Sequence, residues 1–529
     1  MPPKAQTTTR TSRLTKDAGV KKPIAPLKAK AAPNKAIPKA KKDDEKKAEN
    51  PVVEEKESIE PAEKPAEKPK PNISRKRANS ATEEVARPVK KAKSEASINT
   101  APTQKLDVYV FGSGDSAELG LGDAKNVKRP RLNKFLDAAT VGVVQIAVGG
   151  MHCVALTHDQ KILTWGVNDN YALGRDTTWE APTKDVDADD SDEEEESDLN
   201  PNESKPTAIP TEAFESGTRF AQVAATNSAS FALTTDGHVY GWGTFMGNDG
   251  IFGFFKKDGE KQPKKERGQS TPALIPELKN IKSLAAGGDH ILALDHKGNI
   301  WAWGAGEQGQ LGHRVAERRR LEYLVPNLVG LPKNKMTYVA SGSYNGFAID
   351  NKGKVWTWGL NNYGQAGVTS GAGTDNALVQ RPSKIKSLEG YAIKGIEGGS
   401  HHSIAFTEDG TTLVWGRCDD GQSGIDLDKI PEDDIIFDAR EKPRILVKPT
   451  AVPGIKSVAV AAGIDNCIAV TMEGQAYSWG FSESYRTGQG TTDSIKEATL
   501  IDNTATRGKK LTFAGCGGQF SVLAGPMST

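Results

Sequence analysis

From residue 106 onward, short apolar runs alternate with clusters of Gly, Asn and Asp, and the alternation recurs in register seven times. An aromatic-Gly pair marks each copy: Phe111-Gly112, Trp165-Gly166, Trp242-Gly243, Trp303-Gly304, Trp358-Gly359, Trp415-Gly416 and Trp479-Gly480. Successive glycines lie 54, 77, 61, 55, 57 and 64 residues apart. Thirteen residues before each Trp stand His152, Ala229, His290, Asn345, His402 and Asn466, each followed by an apolar run. Eight residues after the paired Gly comes a second glycine (Gly120, Gly174, Gly312, Gly367, Gly424, Gly488) in every copy but the third. Inside a copy, Ile291-Leu292-Ala293-Leu294, a turn at Asp295-His296-Lys297-Gly298 and Ile300-Trp301-Ala302-Trp303 read as a β-hairpin. The same hairpin recurs at 346–358, 403–415 and 467–479. Roughly 50–60 residues per copy leaves room for about four strands, the size of a propeller blade. The pattern predicts an all-β, seven-bladed β-propeller over residues 106–529. The first copy lacks its preceding half and the segment after Leu511 lacks a following Trp-Gly hairpin, so the two chain ends are expected to join into one blade.

Charge divides the chain at the same point. The formal net charge is +1, but residues 1–105 hold 26 Lys and Arg against 14 Asp and Glu, with no aromatic residue. Such a segment cannot bury enough apolar surface to offset its ordering entropy, so a disordered basic tail is expected over 1–105. Within it, Arg75-Lys76-Arg77 and Lys90-Lys91-Ala92-Lys93 are spaced like a bipartite nuclear-import signal read by an import receptor. The start, Met1-Pro2-Pro3-Lys4, matches a short N-terminal methylation signal. An acidic insertion at about 178–206, with its Asp-Glu run at 185–198, swells the longest spacing and reads as a solvated loop. The four cysteines (Cys153, Cys418, Cys467, Cys516) form no C-x-x-C pair and read as buried thiols. Without an 18-residue apolar stretch or an apolar signal core, a soluble intracellular chain is expected, with no membrane partner.

No catalytic motif is present: no phosphate-binding lysine loop, no H-E-x-x-H, no G-x-S-x-G and no paired Cys ligands. His401-His402 does not suggest a metal, because His402 shares the repeat register of His152 and His290, where a structural role is expected. No metal, cofactor or covalent chemistry is expected. The residue just before that register varies: Met151, Ser228, Asp289, Tyr344, His401, Asp465. Shared geometry with changing chemistry points to a contact surface, where Asp289 would either engage a partner's Lys or Arg or cap its own turn. The third copy runs Gly243-Thr244-Phe245-Met246-Gly247-Asn248-Asp249-Gly250-Ile251-Phe252-Gly253. Asn-Asp-Gly between apolar residues signals a tight hairpin, and its Phe and Ile suggest an exposed anchor for a partner protein.

At these residues the chain resembles the regulator of chromosome condensation family, the chromatin-bound guanine-nucleotide exchange factors for the small nuclear GTPase Ran. The resemblance spans about residues 106–525 and rests on GSGDSAELGLG (112–122), NDNYALGRDT (168–177), WGTFMGNDGIFG (242–253), GDHILAL (288–294), GEQGQLG (306–312) and GGSHH (398–402). It implies exchange by protein contact on chromatin, in support of nucleocytoplasmic transport and mitosis. It makes 243–253 a β-wedge that acts at the nucleotide site and Asp289 the essential acidic residue. Further GTPase contacts are implied at Asp115, Asp169, Phe245, Gly247, Asn248, Asp249, Gly250, Ile251, Phe252, His290 and His401. Arg314, Arg318, Arg319 and Arg320 are implied to grip the histone acidic patch of the nucleosome, with the basic tail on DNA and the protein a monomer. Three positions depart from the family pattern: Asn227 where an acidic residue is common, His313 where Arg is frequent, and Phe520 where His is common. The competing reading is a chromatin-binding propeller scaffold without exchange activity, which has no need of the third copy's departure. A light sensor of the plant type is disfavoured because Trp-Arg alternation is missing.

Overall fold

The computed structural model describes residues 97–181, 199–256 and 268–527. The import signal, the N-terminal methylation match and the Asp-Glu run at 185–198 lie outside the described residues.

The described chain forms seven four-stranded antiparallel sheets, numbered here by their aromatic-Gly pair, so that blade 1 holds Phe111 and blade 7 holds Trp479. Blades 6 and 7 share one long strand, Pro443–Ala462: its first half pairs with Thr411–Arg417 and its second half with Asn466–Thr471. The innermost strands of blades 2 to 5 are Val143–Val148, Phe220–Ala225, Ile281–Ala286 and Met336–Ser341. Ile393–Gly398, the second half of Pro443–Ala462 and Phe513–Cys516 complete the set. Each packs on the next and the last returns to the first, which closes the ring. They line a central channel of about 560 Å³. Gln145 and Gln222 stitch neighbouring blades there: each accepts from a main-chain N–H of the next inner strand, Val223 and Leu284 respectively, at 2.8 Å.

Second strands such as His152–Thr157, Ala229–Thr234 and His290–Asp295 are buried at every position. Sandwiched between neighbouring blades, they have no polar face, which is why the sequence runs apolar there instead of alternating. Blade 1 closes the ring as expected. Leu106–Gly112 pairs along its whole length with Phe520–Pro526, from Leu106 opposite Pro526 to Gly112 opposite Phe520.

The repeated glycine has a packing cause. The indole N–H of every Trp of the Trp-Gly pairs except Trp303 reaches the loop of the preceding blade: Trp165 to Glu118 O, Trp242 to Ala172 O, Trp358 to Gln310 O, Trp415 to Gln365 O and Trp479 to Gln422 O, at 2.7–3.2 Å. The acceptor stands two residues before the second glycine. A Cβ on Gly120, Gly174 or Gly424 would lie 2.6–2.7 Å from the next blade's indole, and each of these glycines has a positive φ. The spaced pair of glycines is therefore the joint between blades.

One boundary is corrected. Residues 97–99, expected within the tail, are bonded to the base of blades 3 and 4. The N–H groups of Ile98 and Asn99 both donate to Thr235 O at 2.8 Å, and Asn99 Nδ2 donates to Ile281 O at 2.8 Å. Ile98 lies over Gly237, where any Cβ would come within 2.6 Å of its Cδ1. Two residues with specific partners are enough to order a segment whose composition alone argues for disorder.

Candidate partner-binding face

One end of every blade is built alike. The residue just after the aromatic-Gly pair donates its N–H to the carbonyl of the variable register residue: Ser113 to Gln519, Val167 to Met151, Thr244 to Ser228, Ala305 to Asp289, Leu360 to Tyr344, Arg417 to His401 and Phe481 to Asp465, at 2.7–3.0 Å. The variable residue is at least partly exposed in all seven blades, and the residue after it is buried in all seven. This alternation sorts the expected contacts. Asp289 and His401 belong to the open face, and Asp115 and Asp169 are exposed in the adjoining loops of blades 1 and 2.

His290 does not belong there. It is fully buried and its Nε2 meets Ser341 Oγ of the next blade at 2.9 Å. Burial pushes its pKa down to about 3, so it is a neutral joint residue, not a partner contact. His152 does the same with Ser230 Oγ at 2.9 Å. Phe520 fills the equivalent buried position in blade 1, so that departure concerns blade packing.

The third copy's loop folds into a two-stranded hairpin, Phe245–Gly247 with Gly250–Gly253, turning at Asn248 and Asp249. The expected exposed aromatics are a correction: Phe245 is 0% and Phe252 3% exposed. Phe245 stacks on Phe254 with ring centroids 5.5 Å apart and on Phe231 at 6.1 Å, and Trp303 of blade 4 meets Phe231 edge-on at 5.8 Å. The rings therefore take over the joint that a second glycine makes elsewhere. Only the tip, 247–250, with parts of Met246 and Ile251, faces outward.

Asp289 sits at the hairpin's root. Its Oδ1 accepts the Met246 N–H at 3.0 Å and its Oδ2 accepts from Asn227 Nδ2 at 3.2 Å. Burial raises its pKa to about 6 against the pull of both donors, and the nearby Glu307 charge adds to the rise. Asn227, a departure by sequence, thus supplies a donor where an acidic side chain would have set two carboxylates face to face. His313, the third departure, turns its Nδ1 to Leu311 O at 3.0 Å, and burial lowers its pKa.

A second cluster covers blades 5 to 7. The His401 ring meets Tyr363 edge-on at 4.8 Å, and burial with the Arg417 charge lowers its pKa. Arg417 and Arg444 lie over the Tyr363 ring, 5.7 and 4.9 Å from its centroid, and Arg417 also pairs with Asp465 at 3.0 Å. Tyr363, Arg417 and Arg444 were not singled out by sequence reading. Arg417 had a signal, since it directly follows Trp415-Gly416 at a position where the other six copies carry no charged residue.

The arginine segment forms a 3₁₀ turn, Glu317–Leu324, against the hairpin. Arg314, Arg318 and Arg319 are exposed. Arg320 is not free: its guanidinium pairs with Asp249 at the hairpin tip at 3.0 Å, while Lys256 pairs with Glu322 at 2.6 Å.

Comparison with known proteins agrees with this architecture. The family model described as the RCC1-like domain matches residues 107–523. The Saccharomyces cerevisiae protein named guanine nucleotide exchange factor SRM1 is 44% identical over 435 residues, covering 80% of this chain and 88% of the relative. The crystal structure of Prp20p from Saccharomyces cerevisiae, reported with its binding properties to Gsp1p and histones, superposes with a TM-score of 0.73 at 40% identity, covering 82% of this chain and 94% of that one. The yeast RCC1 (Prp20) bound to Kap60 superposes equally well, with a TM-score of 0.73 at 39% identity over 85% of this chain and 97% of that one. With its seven interlocked sheets and a family model spanning nearly all of them, the chain belongs to the RCC1-like domain family.

Proposed function

We propose that this protein is a guanine-nucleotide exchange factor for a Ran-type GTPase, acting in the nucleus on chromatin. The observation that carries the reading is the blade 3 hairpin, which leaves the repeat pattern, stands at the open face and has its root held by Asp289. Among the described residues, nothing at that face resembles a nucleophile with its base. Exchange requires none, since a factor that binds the nucleotide-free GTPase more tightly than the nucleotide-bound form shifts the equilibrium toward release by that difference. The hairpin tip is the element that presses on the nucleotide site, and Asp115, Asp169, His401 and the Tyr363–Arg417–Asp465 cluster grip the GTPase body. Arg314, Arg318 and Arg319 suit a histone acidic patch, because a planar guanidinium bonds a carboxylate through two parallel N–H groups. The basic tail would bind DNA without sequence preference and with steep salt dependence. Its two basic clusters would be read by an import receptor.

The test is release of a fluorescent GDP analogue from purified Ran. The wild-type chain should accelerate release by orders of magnitude. Asp289→Ala removes the acceptor of the Met246 N–H and should cost about a hundredfold, as expected for a hydrogen bond to a charged group. A folded wild-type chain that leaves the rate unchanged rejects exchange in favour of a chromatin-binding scaffold.

A further inference from the structure

The hairpin is held by two carboxylates, not one. Besides Asp289 on Met246 N–H, Glu307 Oε2 accepts the N–H of Asn248 at 3.0 Å. Both acceptors come from blade 4, and the donors are alternate residues, Met246 on the ascending strand and Asn248 at the start of the turn. In an antiparallel hairpin, alternate N–H groups point away from the partner strand and are left without a ladder bond. Here the two carboxylates stand where a third strand would stand, one at the root and one at the tip.

Gly247 gives an independent sign that the arrangement is built for this contact. Its φ is not in the left-handed region, so the backbone does not demand glycine. A Cβ there would lie 2.9 Å from Glu307 Oε1 and 3.3 Å from Oε2. The glycine makes room for the Glu307 carboxylate. At the turn, Gly250 is the opposite case, with a φ of +100° and open space around it.

Resting on the exchange reading above, we propose that Glu307 is a positioning residue for exchange, fixing the height and angle of the hairpin tip through the Asn248 N–H. It is distinct from the surface that grips the GTPase, and Asp289 shares the task at the root. A tip displaced by an ångström would bind the GTPase body as before yet press less well on the nucleotide site, so the role shows in the maximal rate.

Full-length Glu307→Ala and Glu307→Gln are compared with wild type in two measurements. Amide hydrogen exchange of the 244–252 segment, without the GTPase, should speed up about tenfold in Glu307→Ala and return toward wild type in Glu307→Gln, which keeps an acceptor oxygen. Maximal release of the fluorescent GDP analogue from Ran should fall about tenfold in Glu307→Ala, with KM within about twofold and Tm within a few degrees. Gly247→Ala should slow release in the wild-type background and cost nothing further on top of Glu307→Ala, since the clash is then gone. Unchanged hydrogen exchange, or a loss carried in KM alone, overturns the positioning role. If the wild-type chain does not accelerate release at all, the exchange reading fails first. An active wild type matched by Glu307→Ala overturns the role alone.

Discussion

The loop of blade 2 and the loop of blade 3 begin alike, each after a Trp-Gly pair, and end differently. In blade 2, Gly174 takes a positive φ and lies flat against Trp242 of the next blade, and that indole donates to Ala172 O. The stretch from Ala172 to Gly174 is spent on the joint. In blade 3, Phe245 and its stacked neighbours make the joint from below, against Trp303 and Phe231. The backbone above them is released to form a hairpin, which then needs outside partners for its edge. A repeat can thus gain a projecting element without opening the ring, provided large side chains replace the contact its glycine made.

The sharpest way to break this comparison is Phe245→Ala. Removing a fully buried ring should cost about 3–5 kcal/mol and loosen the joint between blades 3 and 4. Calorimetry should show a markedly lower Tm, and a change within 1 °C would mean that the ring is not the joint. Gly174→Ala attacks the ordinary joint and should cost about 2–4 kcal/mol, from left-handed strain plus overpacking against Trp242. Gly250→Ala carries only the strain, with open space around it, and should cost about 1–2 kcal/mol. Equal losses for the two glycines in denaturant unfolding would remove the packing account.

Acidity separates the two loops further, because the hairpin is held at its root by a half-buried carboxylate of raised pKa. Asp289 is raised to about 6, above the usual Asp value of about 3.9, so the folded state holds its proton more tightly than the unfolded chain. Its neutral form favours folding, and that contribution is lost as pH rises from about 4 to about 6, by up to roughly 2–3 kcal/mol. Asp289→Asn should remove this slope, so the stability gap between variant and wild type should widen across that window and stay level above it. A gap constant from pH 4 to pH 7 would contradict the raised value. The smallest effect is expected at Arg320→Ala. Its partner Asp249 is 78% exposed, and such pairs contribute about 0.2–1 kcal/mol, less at high salt.

Much of the fold was legible because the joint is periodic. Trp165, Trp242, Trp358 and Trp479 each meet a glycine of the blade before them, and two residue types at fixed spacing are visible without any structure. The closure of blade 1 was legible for the same reason, as two half-copies at opposite ends of the chain. The hairpin turn was legible from Asn248-Asp249-Gly250. The role of its aromatics was not, because a Phe in a broken repeat looks surplus until Phe231 and Phe254 are placed beside it. His290 was misplaced by its neighbour: one residue separates the open face from the buried joint, and resemblance alone does not resolve that step. Glu307 stands inside a regular G-E-Q-G-Q-L-G segment, and only the neighbouring blade gives it a task. Ile98 and Asn99 were hidden by composition, which averages over the two residues that bind.

The pairing of Leu106–Gly112 with Phe520–Pro526 has a consequence for how the protein is made. On the ribosome, the strand of blade 1 that emerges first must wait, with its edge uncovered, for a partner more than four hundred residues later. Intermediate blades can stack as they appear, but the circle latches only after the last strand leaves the exit tunnel. At a synthesis rate of roughly 5–20 residues per second, that wait lasts on the order of half a minute or more.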